Sequence, residues 1–161
     1  MLSKSAARPF LRTAACAVLT LIGASVHAQV TVKEPWVRAT VPSQKATGAF
    51  MQLTTTEPVR LVEVQSTAAK IVEVHEMRME GDRMMMKAVD GLDVVPGKAL
   101  DLKPGGYHVM LIDVVKPMTA GDKVALTLVL EGKDGKRRQV QVSAEVRALN
   151  GKPAAAAAHQ H

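Results

Sequence analysis

The chain has a single cysteine, Cys16, and it falls in a segment that reads as a leader. Lys4, Arg8 and Arg12 form a positive n-region, and Ala14 to Gly23 is a short apolar stretch. Val26-His27-Ala28 then puts small residues where a signal peptidase reads. The apolar run falls short of the roughly 20 residues that a helix needs to cross a bilayer. Cleavage after Ala28 is expected, so that residues 1–28 are a signal peptide and the exported chain begins at Gln29 without a thiol. Cys16 stands near the start of the apolar stretch, where a lipid-attachment site would not lie. An exported chain without cysteine is neither a disulfide oxidoreductase, nor a disulfide-stapled mini-domain, nor a Cys-ligated metal protein. Blue-copper electron carriers go with them, because they need a thiolate on the metal.

Aromatic residues are almost as scarce, with two Phe, one Tyr and one Trp in 161 residues. No basic run is interleaved with aromatics, so nucleic-acid binding has little support. Lys4, Arg8 and Arg12 belong to the leader, and without them the net charge of +6 falls to +3. Lys136-Arg137-Arg138 is a small basic cluster and reads as a solvated hairpin end. Convincing helical periodicity is missing everywhere outside the leader and the tail.

What is present is alternation with period two. Val124, Leu126, Leu128 and Leu130 share one strand face, and Val140, Val142, Ala144 and Val146 share another. Gly132-Lys133-Asp134-Gly135 lies between them as a turn. Thr31 to Thr40, Ala49 to Thr55, Leu61 to Gln65, Ile71 to Met79, Met84 to Val89 and Gly106 to Val114 read as further strands. Pro, Gly and Asp punctuate them. Residues 60–66 and 70–76 echo each other, which suggests two strands in similar environments rather than a repeat architecture. The pattern predicts an all-β domain over residues 29–149, an antiparallel β-sandwich or small barrel with Greek-key connections. Trp36, Phe50 and Met51 are expected in its core. Residues 150–161 form an Ala-rich tail ending in His159-Gln160-His161, expected to be disordered.

The chemistry concentrates in one region. Met77, Met79, Met84, Met85, Met86 and Met110 are six of the nine methionines, and His75 and His108 lie among them. His75, Met86, His108 and Met110 are spaced His–x10–Met–x21–His–x–Met. Methionine is a common filler of irregular cores, so any one of these residues has an ordinary explanation. Together, imidazole and thioether without thiolate make a ligand set for a soft monovalent metal, above all Cu(I). Thioethers are neutral, so Cu(I) binds them without displacing a proton. The histidines must be neutral to ligate, so acid weakens such a site. A site lacking thiolate charge also hands copper downhill to a thiolate acceptor, which is how a carrier behaves.

Gly81-Asp82 suits a two-residue hairpin loop with glycine at its first central position. Glu80 then pairs with Arg83, Met79 with Met84, Met77 with Met86, and Glu76 with Lys87. Alternation puts His75, Met77, Met79, Met84 and Met86 on one face, with Val72 and Val74 turned to the core and Met85 on the opposite face from Met86. His108 and Met110 share a face of their own strand. Pro104-Gly105-Gly106 could bring that strand to the hairpin. Met77, Met79 and Met84 are thus candidate auxiliary thioethers, and His159 and His161 could hold a divalent ion such as Cu(II) weakly.

The four-residue motif resembles that of the periplasmic copper(I) chaperones called PCu(A)C. Pro-Gly-Gly-Tyr-His-Val-Met-Leu and the early Trp-Val-Arg-Ala-Thr extend the likeness over roughly Trp36 to Val146. The resemblance implies a cupredoxin-like β-sandwich and one Cu(I) per chain on His75, Met86, His108 and Met110. It also implies a non-enzymatic periplasmic monomer that delivers copper to the Cu(A) site of cytochrome c oxidase. Partners implied are the oxidase subunit carrying Cu(A) and Sco-type copper proteins, with no stable membrane insertion once the leader is removed. Other readings are a copper enzyme, for which no general base stands near the motif, a periplasmic copper-buffering or resistance protein, and an interaction module whose methionines only pack.

Overall fold

The computed structural model describes residues 29–148, and these contain ten β-strands and no helix. The strands are β1 (Val30–Arg38), β2 (Ala46–Thr55), β3 (Val59–Gln65), β4 (Ala69–Glu80), β5 (Arg83–Ala88), β6 (Leu92–Val94), β7 (Leu100–Leu102), β8 (Tyr107–Val114), β9 (Lys123–Gly132) and β10 (Arg137–Arg147). The leader and the tail, with His159 and His161, lie outside the described residues.

Alternating apolar residues build each strand's inner face, and the inner faces meet in one core. Val74 of β4, Val109 and Leu111 of β8, Leu61 of β3, and Leu126 and Leu128 of β9 all belong to a single buried cluster. The strands hydrogen-bond in the order β5-β4-β8-β7-β2-β1-β10-β9-β3-β6, with β8 also paired to β2. Strands far apart in this order share one core, so the continuous sheet folds over on itself as a sandwich. The two echoing segments fall on β3 and β4. They lie near opposite ends of the sheet and contribute to the same cluster.

The β9–β10 hairpin forms as the alternation predicts, with Val124 opposite Ala144 and Leu128 opposite Val140. Two features depart from it. β1 pairs with β10 in parallel, as β7 does with β8, in an otherwise antiparallel sheet. Between β1 and β10 the rest of the domain supplies the long connection that a parallel pair needs, whereas the β7–β8 contact is a single residue pair, Leu102 with Tyr107, across a tight turn. β6 and β7, three residues each, are too short for alternation to reveal.

Trp36 corrects the sequence expectation, and Phe50 meets it on an unexpected face, since it is buried at 5% exposure but apart from the main cluster. Met51 is buried in the core cluster, and its neighbour Phe50 is therefore turned to the other face of β2. Trp36 follows because of a bulge. Lys33 pairs with Gln52 but Trp36 with Phe50, so β1 uses one more residue than β2 over this step. Glu34 takes up the irregularity at φ 48°. The extra residue reverses the parity set by Val30 and Val32, which sends Val37 to the core and Trp36 outward. The two rings stack on the outer face of the sheet with centroids 4.4 Å apart, Phe50 buried and Trp36 partly so.

Candidate metal centre

The outer face of β4, β5, β8 and β2 gathers the residues that carry the chemistry. At its edge the Gly81-Asp82 hairpin has the predicted register: Glu80 opposite Arg83, Met79 opposite Met84, Met77 opposite Met86, Glu76 opposite Lys87. Gly81 has φ 62° while Asp82 is not in the left-handed region, as a turn with glycine at its first central position requires. β5 is exposed along its whole length, so its methionines fill no core.

β8 then lies against β4 and sets His108 directly opposite His75. Their rings meet edge to face at 63° with centroids 5.9 Å apart. Lys103-Pro104-Gly105-Gly106 brings β8 in. The Gly106 N–H donates to the Lys103 carbonyl at 3.1 Å, and Gly105 takes φ 83°, a turn that favours proline and then glycine at its centre. The Gly106 carbonyl accepts twice, from the Met77 N–H at 3.1 Å and from the His108 ring at 3.0 Å. One backbone oxygen thus ties the hairpin strand to the orientation of an imidazole.

The two histidines are prepared in complementary ways. In His108, 4% exposed, Nδ1 donates to Gly106, which leaves Nε2 as the lone-pair nitrogen. In His75, Nε2 donates to Glu73 Oε2 at 2.8 Å, and Nδ1 is buried with no hydrogen-bond partner. A buried ring nitrogen without a partner is uncommon, and its lone pair is free to bind a metal. A histidine whose second nitrogen donates to a carboxylate or carbonyl is the usual supported metal ligand.

A cavity of about 260 Å³ opens on this face, lined by Met77, Met84, Met86, His108 and Met110 together with Arg38, Gly48, Phe50, Pro104 and Gly105. Three of the four motif residues line it. His75 joins them as the cross-strand neighbour of His108 and, as its register predicts, lies diagonally from Met86. Met79 lies further out, beside the turn. Met110 sits opposite Gly48 on β2 and Glu73 on β4.

Five contributors escape a reading of the motif alone: Glu73, the Gly106 carbonyl, Gly48, Phe50 and Arg38. Glu73 was in principle visible, since it stands two residues before His75 on the same strand face. Phe50 is 6.3 Å from His108 between ring centroids, and the Arg38 guanidinium lies 5.7 Å from the Phe50 centroid. A Cβ on Gly48 would come within 2.7 Å of the Phe50 ring. Glycine is therefore what lets that ring lie against the cavity wall. Among the described residues, no three His, Cys, Asp or Glu side chains come together as a metal cluster. The donors on offer are soft sulfur and imidazole.

An all-β sandwich with an imidazole–thioether cavity on one outer face is the class of protein that fold and site define. The family described as "Putative lipoprotein LpqE-like" matches residues 30–146, and the chain belongs to it, the PCu(A)C family that the motif resembles. A Leifsonia xyli subsp. xyli protein also described as a lipoprotein is 30% identical over 129 residues, which cover 72% of this chain and 78% of that one. Among solved structures, the copper-bound PCuAC domain of PmoF2 superposes with a TM-score of 0.61 at 26% identity, over 76% of this chain and 98% of that one. The Cu(I) form of DR1885 from Deinococcus radiodurans does so with a TM-score of 0.56 at 33% identity, over 77% and 83%.

Proposed function

We propose that this protein is a periplasmic carrier of one Cu(I), held by His75, Met86, His108 and Met110, which it delivers to the Cu(A) site of cytochrome c oxidase, with Sco-type proteins taking part. The observation that carries the reading is the unpartnered, buried Nδ1 of His75 beside a His108 whose own Nδ1 is already engaged. Each ring keeps one lone pair free, and Met86 and Met110 add neutral sulfur. That donor set fits Cu(I) and fits Cu(II) or Zn(II) poorly. The copper-bound PmoF2 domain and Cu(I)-DR1885 support it by likeness.

Transfer rather than catalysis follows from the same residues. Among the described residues, no acid–base pair other than Glu73 and His75 flanks the cavity, and Glu73 serves to orient the ring. Residues 1–28 would direct export of the domain and then be removed, in keeping with the lipoprotein descriptions of its relatives. The tail from residue 150 would add His159 and His161 as a weak Cu(II) site. Met77, opposite Met86 and on the cavity wall, would serve as an auxiliary thioether.

Anaerobic titration with Cu(I) against a competing chelator, followed by mixing with a purified oxidase Cu(A) domain, tests the reading. One tightly bound ion that moves to the acceptor is expected. Absence of high-affinity Cu(I) overturns the assignment. Tight binding without transfer would leave a copper-buffering role in its place.

A further inference from the structure

The β4–β5 hairpin sorts its side chains by chemistry. One face carries Met77 and Met79 of β4 and Met84 and Met86 of β5, in the cross-strand pairs Met77–Met86 and Met79–Met84. Arg78 and Glu80, with Arg83 and Lys87, alternate onto the other face. Met79 and Met84 are each 61% exposed, beside a turn with no core beneath it. Two adjacent thioethers held in water contribute nothing to burial, and a large apolar exposure on a monomer marks a site of interaction. On the far side of the cavity stands Arg38, whose positive charge disfavours approach of a cation.

We propose that Met79 and Met84 form a second, weaker soft-metal station at the hairpin tip, through which Cu(I) enters and leaves the centre. The proposal rests on the reading of the centre as a Cu(I) site. Directly paired strand residues have Cβ atoms about 4.5–5.5 Å apart, so two flexible thioether arms can close on one ion. The next pair along the hairpin is Met77–Met86, and Met86 belongs to the centre. A metal ion passes inward by exchanging one neutral sulfur for another. Each exchange breaks one metal–sulfur bond as it makes the next, leaves the oxidation state at +1 and moves no proton. Stepwise exchange avoids the bare ion, so the pair acts on rate and leaves affinity at the centre alone. Met85, on the charged face, is an internal control.

The test follows methionine methyl resonances during titration with Ag(I) as a redox-inert soft probe, then measures Cu(I) removal by a dithiol peptide in stopped flow. In the wild-type protein the first equivalent is expected to shift Met86 and Met110, and excess Ag(I) to shift Met79 and Met84 while Met85 stays in place. Met79→Leu, outside the cavity lining, keeps the apolar bulk and should slow Cu(I) loading and removal with unchanged affinity, and the double variant Met79→Leu/Met84→Leu should slow both several-fold; Met85→Leu should match wild type. Equal rates in the double variant and the wild type overturn the station while leaving the centre intact. So does slowing by Met85→Leu as large as that in the double variant. Failure of the first equivalent to shift Met86 and Met110 overturns the centre and the station together.

Discussion

His75 and His108 face each other directly across the β4–β8 pair, their rings edge to face and 5.9 Å apart, and each has one nitrogen committed to a different acceptor. Glu73 accepts a hydrogen bond from the Nε2–H of His75, and the Gly106 carbonyl accepts one from the Nδ1–H of His108. The tautomers are thereby opposite, so the nitrogens left without a proton are Nδ1 of His75 and Nε2 of His108. Loss of such an orienting partner typically weakens metal binding by about 10- to 100-fold. Glu73→Ala should show a loss of that size for Cu(I) in chelator competition, and Glu73→Gln, which can still accept from Nε2, a smaller one. Equal affinity in Glu73→Ala and wild type would separate the carboxylate from the site.

Met86 and Met110 reach the cavity from different strands, one on an exposed edge and one in the middle of the sheet. Replacing both with leucine preserves apolar volume and removes soft donors. The double variant should unfold at nearly the wild-type temperature, since volume-conserving apolar swaps typically cost less than about 1.5 kcal/mol. Its high-affinity Cu(I) binding should disappear. Retention of wild-type affinity would remove both sulfurs from the ligand set.

The hairpin was fully legible because its register hangs on two local residues, Gly81 and Asp82, and parity does the rest. The β9–β10 pair was legible for the same reason. Trp36 was not. Its outward direction depends on one extra residue at the Glu34 bulge, and a bulge leaves no mark on hydrophobic alternation. Phe50 was rightly expected to be buried, but its face was not legible. It and Met51 were both assigned to the core, although adjacent strand residues cannot share a face. The His75–His108 pairing spans two strands separated by β5, β6 and β7, and only the assembled sheet fixes it.

Acid should weaken the fold through the carboxylates that it holds in the charged form. Asp134 Oδ1 accepts from the Lys136 N–H at 3.1 Å, and this hydrogen bond, with the nearby positive charges of Lys136 and Arg138, lowers its carboxyl below the ordinary 3.8. The Lys70 ammonium lowers Asp113 in the same direction through contact at 2.7 Å. A carboxyl lowered in the folded state contributes stability that is present in full above its unfolded value and is lost as pH falls through its folded value. Denaturant midpoints should therefore hold steady down to about pH 4 as far as these groups are concerned, then fall. Asp134→Asn should flatten part of that fall. An unchanged acid limb in Asp134→Asn would show that the turn carboxyl titrates alike in both states.

Gly48 links the aromatic wall to the donor set. It lies opposite Met110 on β8, and the space above its Cα is taken by the Phe50 ring, which a Cβ would meet at 2.7 Å. That ring is held on both sides, by Trp36 at 4.4 Å and by His108 at 6.3 Å between centroids, so it cannot swing freely away. Gly48→Ala should thus behave as an overpacking substitution and cost about 1–3 kcal/mol, visible as a lower melting temperature. The displaced ring should also disturb His108 and weaken Cu(I) binding. Phe50→Leu frees the space, so the double variant Gly48→Ala/Phe50→Leu should be more stable than the two single losses added together. Trp36, the sole tryptophan, reports the same ring movement in its emission spectrum. Additive losses in the thermodynamic cycle would mean that Gly48 and Phe50 do not meet in solution as they do here, and the aromatic wall would then play no part in shaping the cavity.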